Sequence, residues 1–278
     1  MSTRIATNTA ADVVRANLSH HQNDVSEEME RISSGKRINR ASDDAAGLAI
    51  ATNLDAQGRG LGQAARNAND GISFIQTAEG GLNEISSIII RLRELSVQAA
   101  SDTVSDNERG LLDKEYQQLI KEIDRIAQTT TFNGTNLING EGRGYLRFQV
   151  GTMGGEENQI IFNSDGTNAT ADNLGVKGTS ITERDSAVDS LPNLDQALKT
   201  ISAHRAEMGA LQSRMQSTVA NLEMQAINYK SAQSIIEDTD IAQSTAKLAT
   251  ASIGQKAAIA TLAQANSDAY LALRLIDR

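Results

Sequence analysis

Apolar residues recur at helical spacing along most of the chain, and the seven-residue periodicity is regular enough to place elements. From Leu194 every seventh position is apolar: Leu194, Ile201, Met208, Met215, Leu222, Tyr229 and Ile236. The companion seam positions are mixed, with Ala197, Leu211 and Ala232 interrupted by His204, Thr218 and Gln225. A seam maintained at one heptad position and broken at the other predicts a long helix packed against several partners in turn. In the N-terminal half, Ile75, Leu82 and Ile89 alternate with Ala78, Ile85, Leu92 and Ala99, and Leu112, Leu119 and Ile126 with Tyr116 and Ile123. Between these stretches, SDTVSDNE places Ser105 and Glu108 at capping-box spacing. One helix should therefore end near Ser101 and the next begin near Asp106, the two forming an antiparallel hairpin.

The two ends are helical but weaker. Ala11, Leu18, Val25 and Ile32 form a seven-residue repeat whose companion positions after Val14 are His21 and Glu28, while Ile241, Leu248 and Leu262 share a seam with Ala251, Ala258 and Ala265. Neither segment buries enough alone to offset its ordering entropy, so both are expected to order only against partners. In mid-chain the helical period stops. Between Gly140 and Gly178 lie nine of the 21 glycines. Leu146, Phe148 and Val150 alternate as one strand, QIIFN around Ile160 and Phe162 reads as a second, and GTMGGEEN between them predicts a β-hairpin. The polar stretch NSDGTNATADNLGVKGTS that follows reads as an exposed excursion at one end of a helical rod.

Composition narrows what such a chain does. Thirty-eight alanines against four Phe, four Tyr, no Trp and one Pro fit long thin helices with surface left for partners better than a compact enzyme core. The net charge of −9 excludes a nucleic-acid binder. The one basic cluster, Arg31, Lys36, Arg37 and Arg40, lacks interleaved aromatics and reads as a solvated or subunit-pairing face. Without cysteine the chain has no disulfide, zinc-thiolate or iron-sulfur chemistry. Ile88-Ile89-Ile90 is stopped by Arg91, so no membrane insertion is expected, and MSTRIATNTAADVV lacks the apolar region of a signal peptide. These features alone predict a soluble cytoplasmic protein.

No constellation of residues assembles a catalytic site. Adjacent His20 and His21 point to different sides of a helix, and no HExxH is present, which argues against a metal. Asp43-Asp44 and Glu156-Glu157 have no apolar pocket to raise a carboxyl pKa. Gly58, Gly60 and Gly62 lack the strand and the Lys-Ser/Thr ending of a phosphate loop and read as a flexible joint between helices. Asn133-Gly134-Thr135 and Asn168-Ala169-Thr170 match the short N-glycosylation pattern. The expectation is no enzyme, no cofactor and no metal.

The run ISSGKRINRASDDAAGLAI (residues 32–50), with RNANDGISFIQTAEGGLNEI (66–85), RLRELSVQAASDT (91–103) and EYQQLIKEIDRIAQTTTFNGTNLING (115–140), closely resembles the N-terminal region of bacterial flagellins. FQVG (148–151) resembles the start of the flagellin hairpin, and RAEMGALQSRMQ (205–216), SIIEDTDIAQ (234–243) and ATLAQANSDAYLALRLI (260–276) resemble the C-terminal region. One departure is SDAY after LAQAN, where many flagellins carry a proline. The resemblance implies a mainly α fold: a long antiparallel helical rod and a terminal coiled coil, with a small β-hairpin region in mid-chain and no large outer domains.

By that resemblance, residues 1–42 with 236–278 form the terminal coiled coil of an inner tube. Residues 43–139 with 185–235 form the rod, and residues 140–184 its hairpin and exposed loop. Val14, Leu18, Val25 and Ile32 would pack against Leu248, Leu262, Leu271 and Leu275 in the tube. The implied role is a self-assembling subunit of the flagellar filament; a hook-filament junction protein is the alternative. The implied partners are further copies of the chain, an export chaperone, the type III export apparatus, the junction and cap proteins, and a host innate immune receptor meeting Arg91, Leu95 and Glu115. LALRLI at the C-terminal end resembles a segment sensed inside host cells. The implied location is extracellular, in the filament, without a cleaved signal peptide, which replaces the cytoplasmic expectation.

Overall fold

A computed structural model describes residues 7–141 and 144–276, with the side chains of residues 268–276 left out. Five helices carry most of the chain: α1 (Thr9–Ser34), α2 (Ala45–Ala99), α3 (Asp106–Thr129), α4 (Arg184–Glu237) and α5 (Ile241–Ile276). Between α3 and α4 lie β1 (Thr131–Phe132), β2 (Thr135–Asn136), β3 (Tyr145–Gln149) and β4 (Gln159–Asn163). The capping chemistry explains the helix ends. Asn8 accepts from the Ala11 N–H at 3.1 Å to start α1, and Gly35, at φ 72°, closes it in the left-handed conformation that glycine adopts without strain. Ser105 and Glu108 form the reciprocal capping box that the sequence implied, so α2 ends and α3 starts on either side of a short turn.

The glycines Gly58, Gly60 and Gly62 do not form a joint between helices, because α2 runs through them unbroken. Leu61 among them is buried, and that packing offsets their helix-propensity cost of about 1 kcal/mol each. At Gly60 the missing side chain is also needed, since a Cβ there would stand 2.8 Å from Thr152 Cγ2 of the turn between β3 and β4.

The chain divides into two compact units, Met1–Ala56 with Asn228–Arg278, and Gln57–Ile227. The second unit holds a continuous core. Ile75, Leu82, Ile85, Ile89 and Leu92 of α2, Tyr116 and Ile123 of α3, and Leu194, Ile201 and Met215 of α4 are fully buried. The antiparallel hairpin of α2 and α3 is fixed at its turn by Arg109, whose buried guanidinium donates to the carbonyls of Ala99 at 2.8 Å and Ser101 at 2.9 Å. Strands β3 and β4 pair antiparallel with Leu146 opposite Phe162 and Phe148 opposite Ile160. The smaller β1–β2 hairpin turns on Asn133 and Gly134, both at positive φ.

All four phenylalanines of the sequence meet here. Phe74 of α2 stands edge-on to Phe132, Phe148 and Phe162, with ring centroids 5.8, 5.7 and 5.4 Å away. The hairpins are thereby seated on the helices by aromatic edge-to-face packing. The stretch expected as an exposed excursion folds down instead, with Ala169, Ala171, Leu174, Val176 and Ile181 buried. Its backbone is tied to α3: Asp113 accepts from the Ile181 N–H at 3.0 Å, Asp124 from the Ala171 N–H at 2.8 Å, and Gln117 donates to the Thr179 carbonyl at 2.9 Å. Satisfying backbone groups in this way lets an irregular segment be buried.

Candidate assembly surfaces

In the first unit α1 packs on α5, antiparallel. Asn8 Nδ2 donates to the Ala265 carbonyl at 2.9 Å at one end of the pair. Midway, the His21 ring lies over Gly254, where a Cβ would stand 2.7 Å from its Cε1. At the other end the turns after α1 and α4 clasp each other. The Arg37 N–H donates to the Glu237 carbonyl at 2.6 Å, the Thr239 N–H to the Gly35 carbonyl at 3.0 Å, and Lys36 pairs with Glu237. That pair holds the Lys36 ammonium above its ordinary pKa and the Glu237 carboxyl below its own, in each case chiefly through the hydrogen bond between them.

The seam of this pair is only partly closed. Val14, Leu18, Val25, Ile32, Leu248 and Leu262 are all half-buried, and full burial falls to small residues, Ala11, Ala251 and Ala258. The side chains of Leu271 and Leu275 lie outside the described residues. Large apolar side chains also stand off the seam. Val13 is 61% exposed, Met29 58%, Ile253 68% and Ile259 52%, far more than a finished surface of this size needs. Counting only heptad seams misses them. Their signal in the sequence is that α1 and α5 carry bulky apolar residues on more than one face.

The basic cluster is consumed within the chain. Arg31 pairs with Glu27 and Glu28, Lys36 with Glu237, and Arg40 with Glu30 at 2.8 Å, while Arg37 Nη2 donates to the Ile236 carbonyl at 2.7 Å. No surplus of positive charge is left there for a polyanion. Among the described residues no group of three or more His, Cys, Asp or Glu is placed to hold a metal, and no helix is long and apolar enough to cross a membrane.

In the second unit Arg91 and Glu115 come together across the α2–α3 hairpin. Arg91 Nε and Nη2 donate to Glu115 Oε1 at 3.1 and 3.0 Å, and Nη1 to Glu94 Oε2 at 3.0 Å. The Glu115 hydrogen bond, followed by that to Glu94, raises the Arg91 pKa further above its already high ordinary value. Leu95 does not join this exposed pair. It is 1% exposed and belongs to the core, whereas Ile90, Val97 and Leu111, which the periodicity did not single out, are about half-exposed.

Two family models match the chain, the bacterial flagellin N-terminal helical region over residues 5–142 and the C-terminal helical region over residues 191–276. A flagellin of Halalkalibacterium halodurans is 40% identical over 89% of this chain and 90% of its own length. The flagellar filament 30.7 kDa core protein of Treponema maltophilum is 38% identical over 89% of this chain and 90% of its own. The crystal structure of Bacillus cereus flagellin superposes with a TM-score of 0.50 at 28% identity, over 56% of this chain and 88% of that one. Helices at both ends, a half-closed terminal seam and matches that reach both terminal regions give one conclusion: the chain belongs to the bacterial flagellin family.

Proposed function

We propose that the chain is a structural subunit of the bacterial flagellar filament, polymerising with copies of itself. The observation that carries this reading is the half-closed α1–α5 seam with bulky apolar residues exposed around it, in a chain of this family. A surface that one copy leaves open and that does not close on itself is what a helical polymer uses. In this reading Val14, Leu18, Val25 and Ile32 pack with Leu248, Leu262, Leu271 and Leu275 in an inner tube. Residues 1–42 with 236–278 form that tube, residues 43–139 with 185–235 the rod around it, and residues 140–184 its hairpin region.

The chain leaves the cell unfolded through the type III export apparatus, with a chaperone, and meets junction and cap proteins at the filament ends. It has no catalytic role. Arg91 and Glu115 offer a host innate immune receptor a charged surface patch, with Leu95 holding the helix beneath it. Seeded polymerisation tests the reading. The full chain should form pelletable fibres, and chains lacking residues 1–40 or 240–278 should remain soluble and helical. Pelleting fibres from either truncation would overturn the two-ended packing.

A further inference from the structure

Between α1 and α5 lies a cleft of about 560 Å³ whose acceptors are not all used. Glu28 lines it and is only 7% exposed. Its Oε1 accepts from Arg31 Nη1 at 2.9 Å, but Oε2 is buried without a hydrogen-bond partner. At the far end of the cleft, His21 Nδ1 is likewise buried and unpartnered, and the ring is held there by its seat on Gly254. Asp24, also on the wall, approaches that nitrogen only to 3.9 Å, too far for a hydrogen bond. A buried carboxylate oxygen left unpaired costs about 1–3 kcal/mol or more, so the cleft is built to receive a donor.

We propose that this cleft binds a primary ammonium carried on an aliphatic stem. The ammonium supplies three donors and a positive charge, matching Glu28 Oε2, Asp24 and the neutral His21 Nδ1. The stem lies along the opposite wall, where Ala246 and Ala251 of α5 leave room that larger side chains would fill. A divalent metal fits less well, since no three ligating groups converge here among the described residues. Lys247 sits on the rim but is exposed and forms no ion pair. The ammonium comes from a lysine of a second copy of the chain or from a free diamine.

Sedimentation of polymerised protein with labelled pentane-1,5-diamine, at constant ionic strength, separates the two sources. If the cleft takes the free amine, wild-type fibres carry it saturably and stoichiometrically. Glu28→Gln and Ala246→Leu, one removing the charge and the other filling the slot, should each weaken uptake about tenfold or more. If a neighbouring lysine fills the cleft, fibres take up none. The diamine then raises the wild-type critical concentration severalfold and leaves that of both variants unchanged. The inference rests on the assembly reading. A wild-type chain that never pellets overturns both, whereas wild-type fibres with neither saturable uptake nor a Glu28-dependent diamine effect overturn this inference alone.

Discussion

The two units are made from the same helices and bury their apolar residues very differently. In the second unit, α4 residues Leu194, Ile201, Met208, Met215 and Leu222 are at most 5% exposed, and the four Phe side chains close around one another. In the first unit the same α4 seam continues as Tyr229 and Ile236, both half-buried, and Ile235 beside them is 80% exposed. The periodicity therefore continues where the burial stops. A heptad seam specifies which face of a helix packs, and the neighbours available decide how fully. Applied to this chain, the second unit completes its own core and the first depends on other copies to complete its core.

The largest expected effects separate the units directly. Phe74→Ala should destabilise the soluble chain by about 3–5 kcal/mol, since it empties the centre of the aromatic cluster. Leu18→Ala, in the half-buried seam, should change that stability by under about 0.5 kcal/mol yet raise the critical concentration for polymerisation. Denaturant unfolding of the monomer and sedimentation of the polymer measure the pair. An equal loss of monomer stability in both variants would break the distinction.

The pH response should also differ between units. Burial pushes His204, in the second unit, below its ordinary 6.5, against a smaller opposing pull from Glu207. A depressed pKa means stability that is present above about pH 6.5 and decays as pH falls from there through the lower folded value. In the first unit, Glu237 is held below its ordinary 4.5, so its contribution is present above that pH and lost as pH falls through the folded value. Lys36 is raised above 10.5, so its contribution is present below that pH and lost as pH rises through the folded value. Thermal unfolding of the monomer between pH 4.5 and 6.5 should fall with pH in the wild type and flatten in His204→Gln. Polymer stability in Glu237→Gln should lose its dependence below pH 4.5.

Smallest of all should be Glu115→Gln. The Arg91–Glu115 pair is about half-exposed on both sides, and surface pairs of this kind contribute about 0–1 kcal/mol. A loss above about 2 kcal/mol in denaturant unfolding would mean that the pair supports the rod rather than decorating it.

Much of this architecture was legible in the residues because the relevant rules are local. Heptad spacing placed the core faces of α2, α3 and α4, Ser105 and Glu108 marked the start of α3, and alternation around Phe148 and Phe162 marked β3 and β4. What was not legible depends on contacts distant in sequence. The glycines of α2 looked like a joint because their packing against Thr152 lies some ninety residues away. The polar stretch before α4 looked exposed because its burial depends on Asp113 and Asp124 accepting its backbone N–H groups. Arg109 gave no local sign that it would cap α2. Leu95 was picked out through resemblance, and only the packing of α2 shows that it faces inward while Arg91 and Glu115 face out.

Hydrogen exchange on the soluble chain and on pelleted fibres tests the central contrast most directly. The amides of α2, α3 and the residues 184–227 part of α4 should be protected in both states. Those of α1 and α5 should exchange rapidly in the soluble chain and become protected in the fibre. Equal protection of α1 and α5 in both states would show that the terminal pair completes itself and would contradict the account.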